Sequence, residues 1–165
     1  MTFWFIFQRH DVLLERLADG TYTIPCANNS PIAPSPKTHI LNVMPALPQA
    51  DVKTFNVTPA TPIDENQYEW CDLRASYYKL SHELYLKAGK CHELLYWDTS
   101  TQYCGVCGTP MVMQTDISKR CPNCGKEVWP QLATAIIVLI SKGDEVVLVH
   151  AKNFKKPFYG LIAGF

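Results

Sequence analysis

Apolar and polar positions divide the chain into three stretches. The first covers residues 1–68. It opens with short apolar runs at residues 3–7 (FWFIF), 12–14 and 22–24, the last just after the turn pair Asp19-Gly20. Runs of this length, bounded by turn residues, predict strands. Proline then dominates, with eight of the twelve prolines falling between Pro25 and Pro62. Proline removes a backbone donor and fixes φ, which excludes helix and central strand from this part. Only short edge strands are predicted here, at residues 40–43 and 54–57, joined by loops.

Residues 71–97 carry a helical period. Leu73, Tyr77 and Leu80 share one face, and Ser81 is placed to cap a following helix with Glu83 in its first turn. Leu84, Ala88, Cys91 and Leu95 then recur at three and four residues, the spacing of a buried stripe. This predicts a helix packed on the sheet of the first stretch, with His82 and His92 on its solvated side.

The third stretch runs from residue 103 to 165. Its later part reads ATAIIVLI (133–140), the turn SKGDE (141–145) and VVLVH (146–150), which predicts a hairpin. The first run is apolar on both faces and predicts a central strand covered on both sides. The one further strand predicted here, at residues 159–162, is too little to cover it. The third stretch therefore reads as half of a domain.

Composition narrows the function classes. The 165 residues carry formal net charge +0, so there is no global basic field to recruit nucleic acid. Hydrophobic residues at 47% allow a packed core. The run at residues 3–7 is too short for the core of a signal peptide, and no run approaches a membrane span. A soluble, cytoplasmic protein with no membrane partner is expected.

Seven cysteines argue against a complete disulfide framework. Cys26, Cys71 and Cys91 are expected as small buried apolar residues. The other four form YCGVCG (103–108) and CPNCG (121–125), that is C-x2-C, thirteen residues, C-x2-C. Two-residue spacing turns both thiolates of a pair toward one point, and Gly105, Gly108 and Gly125 allow the turn to close around them. Cys104, Cys107, Cys121 and Cys124 thus predict a tetrahedral Zn2+ site. Two disulfides or a redox pair are the rivals, and no thioredoxin-like βαβ pattern surrounds either pair. With four protein ligands no position remains for water, so the zinc is structural, contributing on the order of 10 kcal/mol to folding. Lys119, Arg120 and Lys126 form a modest basic edge, read as a solvated face.

Taken in order, LLYW (94–97), YCGVCG followed by Pro110-Met111, CPNCG, VWPQLATAIIVLI, a hairpin and YGLIAGF resemble the NADH pyrophosphatase branch of the Nudix hydrolases. The resemblance is specific over residues 94–165 and looser before, where FIFQRHDVLL and Asp72-Leu73-Arg74 fit in outline. It implies an α+β fold: a β-rich N-terminal domain with helices (1–98), a four-cysteine zinc ribbon (99–128), and the opening β-strands of a Nudix α/β/α sandwich (129–165). It implies hydrolysis of NAD(H) to nicotinamide mononucleotide and AMP, dependent on Mg2+ or Mn2+, with removal of NAD caps from RNA as a related activity and a homodimer as the common assembly.

Residue by residue, the resemblance makes the four cysteines the zinc ligands. Trp129 takes the aromatic position that contacts substrate, Phe165 the aromatic that stacks on the nicotinamide or base, and the Ala163 carbonyl a backbone ligand to the catalytic metal. Asp116 falls where the family can have an acidic substrate contact. In the family, AGF is followed by a glutamate-bearing helix, which these 165 residues do not contain, so they are expected to be inactive by themselves. Two alternatives stay open. One is a non-enzymatic zinc-ribbon adaptor that binds protein or nucleic acid, and the other is a Nudix hydrolase of a different nucleoside diphosphate derivative.

Overall fold

The computed structural model describes residues 1–44, 47–48, 50–59, 61–152 and 157–165. Pro45, one of the prolines counted above, lies outside them. Among the described residues the fold is α+β, mostly strands with one α-helix, and it divides into two compact units, Met1–Pro130 and Gln131–Phe165.

The first unit is built on a seven-stranded sheet. Its strands are β1 (Thr2–Gln8), β2 (Asp11–Arg16), β3 (Tyr22–Thr23), β4 (Cys26–Ala27), β5 (Leu41–Asn42), β6 (Asp51–Asn56) and β7 (Tyr68–Asp72). The order is β3-β2-β1-β6-β5, with β4 also on β1 and β7 also on β2. β1 and β2 form a hairpin that pairs only at Phe7↔Val12 and Gln8↔Asp11 before it splays open. Residues 22–27 fill the gap, β3 bonding to β2, β4 to β1, and Trp4 N–H donating to the Pro25 carbonyl at 2.9 Å.

Side-chain alternation along β1 explains why FWFIF is apolar throughout. Phe5 and Phe7 point into one core with Val12, Leu14 and Ile24, while Trp4 and Ile6 point into a second with Leu13 and Phe55. Helix α1 (His82–Ser100) covers the first face through Ala88, Cys91, Leu94, Leu95 and Trp97. The proline-rich segment covers the second, where Ile32, Ile40, Val57 and Ile63 pack on it. Prolines do not prevent this, because side-chain cover needs no backbone ladder.

Three sequence expectations are corrected. The strand expected as an edge at 54–57 is β6, which lies between β1 and β5 and runs parallel to β1 from Thr2↔Asp51 to Phe7↔Asn56. Its prolines fall outside the strand itself, so the ladder is intact. The helical face Leu73, Tyr77, Leu80 is not one helix. Tyr68–Asp72 is strand, paired with β2 over five residues, and only Ala75–Tyr78 turns, as a short 3-10 helix. Third, His92 is half-buried: its ring meets Phe7 edge-on at 5.2 Å and its Nε2 lies 3.2 Å from the Arg9 carbonyl. His82 is exposed, as expected.

The helix start follows the sequence. Ser81 is the N-cap, its hydroxyl accepting from Leu84 N–H, and Glu83 sits in the first turn. Cys91 is fully buried, and burial pushes its thiol up to about 12. Cys71 is buried too, whereas Cys26 is half-buried. The first unit ends in a three-stranded ribbon of β8 (Val112–Thr115), β9 (Ser118–Arg120) and β10 (Glu127–Val128).

The second unit contains β11 (Ile136–Val138) paired with β14 (Ile162–Gly164), and β12 (Ser141–Lys142) paired with β13 (Glu145–Val146). The hairpin forms where expected, around Gly143-Asp144 with Gly143 at φ 60°. The expected covering of the 133–140 run is not found. Within this unit Ile136 to Ile140 are exposed, because two-stranded ribbons supply nothing to pack on either face. Among the described residues no helix is long and apolar enough to cross a membrane.

Candidate metal centre

The two cysteine knuckles have the same backbone hydrogen-bond pattern. Cys104 N–H donates to the Thr109 carbonyl at 2.8 Å and Gly108 N–H to the Cys104 carbonyl at 2.9 Å. In the second knuckle Cys121 N–H donates to Lys126 at 2.8 Å and Gly125 N–H to Cys121 at 3.0 Å. Gly108 and Gly125 close these loops at φ 72° and 74°, where a side chain would strain the backbone. Val106 N–H and Cys124 N–H each point at the first sulfur of their knuckle, at 3.4 Å. Such donors stabilise thiolate.

The four sulfurs converge, all within 4.8 Å of one another, with Cys104 to Cys124 and Cys107 to Cys121 at 3.5 Å. Tetrahedral Zn2+ with Zn–S near 2.3 Å requires S···S separations of about 3.8 Å. The thiol set therefore fits the ion. Hydrogen bonds from the Thr109 hydroxyl and backbone N–H, with the Asn123 side chain, pull the Cys107 thiol down to about 5. Bonds from the Val106 and Cys107 N–H groups lower Cys104 as well. Thiolate, the form that binds metal, is thus favoured at Cys107 and Cys104, whereas Cys124, despite the Lys126 N–H, is pushed up to about 12 by the neighbouring Cys104 and Cys121 sulfurs.

A buried charge pair anchors the ribbon to α1. Lys119 on β9 and Asp98 in the last turn of the helix are 3% and 4% exposed. The Lys119 ammonium lies 2.7 Å from Asp98 Oδ1, donates to the carbonyls of Asp98 (2.7 Å) and Thr101 (3.3 Å), and sits over the Trp97 ring at 5.3 Å. It neutralises a carboxylate and caps free carbonyls at the negative end of the helix. The basic edge read from Lys119, Arg120 and Lys126 is therefore wrong at its first member. Arg120 faces Glu127 at 3.8 Å, which weakens that edge further. Nothing in SKR distinguishes a lysine bound for the core from a solvated one, so sequence reasoning missed this pair.

Asp98 has a second partner, His39, whose Nδ1 lies 2.9 Å from Oδ2. His39, Ile40, Leu41 and Asn42 form one wall of an open cleft, and Met113, Thr115 and Asp116 of the ribbon form the other. Asp116 stands in the two-residue loop Asp116-Ile117 that joins β8 to β9, closed by a 2.7 Å contact between the Thr115 and Ser118 hydroxyls. Trp129, just past β10 in the first unit, is 53% exposed. Phe165 and Ala163 lie in the second unit, Phe165 99% exposed and Ala163 on β14 opposite Ile137. Of the expected site residues, then, the fold brings the four cysteines together and gives Asp116 a cleft.

Comparison with known proteins agrees with this arrangement. Residues 1–97 match the family model described as NADH pyrophosphatase-like rudimentary NUDIX domain, and residues 99–128 match the NADH pyrophosphatase zinc ribbon domain. Similar proteins include one named NAD-capped RNA hydrolase NudC from Stutzerimonas stutzeri (strain A1501), 30% identical over 105 residues, 63% of this chain and 38% of that protein. A protein of the same name from Pseudomonas aeruginosa (strain LESB58) is 31% identical with the same coverage. Another from Deinococcus radiodurans is 39% identical over 98 residues, 56% of this chain and 35% of that protein. The chain thus spans well under half the length of these relatives.

Proposed function

The chain belongs to the NADH pyrophosphatase-like NUDIX family, and from that premise we propose that it supplies the N-terminal domain and zinc ribbon of a metal-dependent NAD(H) diphosphatase. The reaction is attack of water on the pyrophosphate of NAD(H), giving nicotinamide mononucleotide and AMP. The relatives named as NAD-capped RNA hydrolases extend the substrate range to NAD-capped RNA. The observation that carries this reading is the convergence of four thiols directly after α1, in a ribbon locked to the helix by Lys119 and Asp98.

In this reading Cys104, Cys107, Cys121 and Cys124 hold a structural Zn2+. Trp129 and Phe165 provide flat apolar faces for nicotinamide or adenine, and Asp116 is an acidic substrate contact. The Ala163 carbonyl is one backbone ligand for Mg2+ or Mn2+, which in such enzymes polarises the phosphate and activates water. The setting is cytoplasmic and the assembly a homodimer. The exposed apolar run from Ile136 to Ile140 supports burial against further protein.

The test is hydrolysis by the gene's whole product, with Mg2+ or Mn2+, across NADH, NAD, NAD-capped RNA and ADP-ribose. The reading requires products cut at the pyrophosphate and preference for a nicotinamide substrate. A preference for ADP-ribose would overturn the substrate assignment.

A further inference from the structure

Another cleft, of about 240 Å3, lies where the β1–β2 turn, the end of β6 and the second half of α1 meet. Strand alternation decides what reaches it. Phe5 and Phe7 of β1 and Val52 of β6 pack in the core beneath α1, so Asn56, four residues after Val52, emerges on that same side. His92 and Tyr96, one helical turn apart, belong to the facing wall, and the turn residues Arg9 and His10 close the end. Asp11 and Asp72, paired across β2 and β7 beside the turn, fall on the other face of the sheet, because their neighbours Val12 and Cys71 pack under α1. Glu93, although next to His92, does not line the cleft, and among the described residues no carboxylate does.

What lines it is rich in donors. Arg9, His10 and Asn56 are exposed, and among the described residues neither the Arg9 guanidinium nor the Asn56 amide has a hydrogen-bond or ion-pair partner. His10 carries a ring N–H in either neutral tautomer. His92 is already committed. A carbonyl has no proton to give, so the His92 Nε2, 3.2 Å from the Arg9 carbonyl, must be the donor. That bond ties the turn backbone to the helix, while Phe7 meets the His92 ring edge-on at 5.2 Å and His10 lies 5.7 Å from it.

The residue held in this way is a strained one. Arg9 has φ 59°, where glycine would cost less, yet the position carries a guanidinium that can bind an anion through two parallel N–H bonds. Backbone strain at an unpaired side chain in a cleft points to a bound ligand. We propose that the cleft binds a phosphate group, with Arg9 as the bidentate contact, the His10 ring and the Asn56 amide as further donors, and His92 as the positioning residue. The phosphate is a diester of a single RNA strand or a terminal monoester of a nucleotide, since both present the same acceptor oxygens. This goes beyond the diphosphatase reading and does not rest on it: no residue of the cleft belongs to the cysteine site or to the substrate contacts assigned above.

The test needs no hydrolysis, so its failure leaves that reading standing. The zinc-loaded chain is titrated at fixed ionic strength with inorganic phosphate, AMP and a short single-stranded RNA lacking terminal phosphates, and is followed by amide and imidazole NMR shifts. Saturable shifts at Arg9, His10, Asn56 and His92 are expected. Shifts with the RNA assign the diester, and shifts with phosphate and AMP alone assign the monoester. Arg9→Gly should weaken binding at least about tenfold and at the same time raise Tm, so lost binding cannot come from a lost fold. His10→Ala, at an exposed turn position, is a second variant expected to weaken binding several-fold with Tm unchanged. No saturable shift with any probe, shifts confined to residues outside the cleft, or unchanged affinity in Arg9→Gly would each overturn the proposal.

Discussion

Lys119 and Asp98 form a buried ion pair 2.7 Å apart, and it joins the four-cysteine ribbon to the helix that packs on the sheet. Removing one partner leaves the other charge desolvated and alone. Lys119→Met should therefore cost about 3–5 kcal/mol of stability. Lys119→Met with Asp98→Asn should cost less than the sum of the two single changes. Urea denaturation of the four zinc-loaded proteins gives the coupling directly.

Metal removal should act locally first. Native mass spectrometry is expected to find one Zn2+ per chain, and none in Cys121→Ser. Hydrogen exchange in Cys121→Ser should lose protection over residues 112–128 while the β1 and β2 amides stay protected, because their core is made by Phe5, Phe7, Val12 and Leu14 without the ribbon. Equal loss in both regions would show that the sheet depends on the metal.

A second charge cluster sets an acid limit. Glu69 on β7 is bonded by the Lys79 ammonium and by the Tyr22 hydroxyl at 2.8 Å, and faces Arg16 at 3.2 Å. The Lys79 hydrogen bond, ahead of the others, holds the Glu69 carboxyl below its ordinary 4.5. A lowered carboxyl contributes stability that is present above the unfolded-state value and lost as pH falls through the folded-state value. The wild type should lose Tm more steeply than Glu69→Gln between about pH 5 and about pH 3. At pH 7 the variant should be weaker by about 1 kcal/mol.

At the β1–β2 turn, Arg9 is, among the described residues, the one non-glycine residue with positive φ, at 59°. The left-handed region strains any residue with a Cβ, and the first central position of such two-residue turns favours glycine. Arg9→Gly should leave the fold intact and raise stability by up to about 1 kcal/mol, less the entropy that glycine adds to the unfolded chain. Thermal denaturation measures the balance.

Local patterns were legible where local physics decided them. The strands around residues 3–7 and 12–14, the Ser81 cap, the stripe of Ala88, Cys91 and Leu95, and the four-thiol cluster all appear as read. Cys71 and Asp72 were misread as the start of the helical stretch because Leu73, Tyr77 and Leu80 share a helical period, whereas pairing with β2, far back in the sequence, makes them the end of strand β7. β6 looked peripheral because prolines surround it, although none interrupts it. Lys119 looked solvated because its partner Asp98 is set by tertiary packing. In each case the deciding interaction joins residues distant in the chain.

The parallel pairing of β1 with β6 has a consequence for synthesis. Thr2 to Phe7 complete one edge only when Asp51 to Asn56 arrive, and until then FWFIF is an open strand rich in apolar residues. The hairpin with β2 covers only its far end at Phe7 and Gln8. FWFIF thus leaves the ribosome before its β6 partner and is prone to pair with a neighbouring nascent chain, and the window closes only after the proline-rich segment has followed it out.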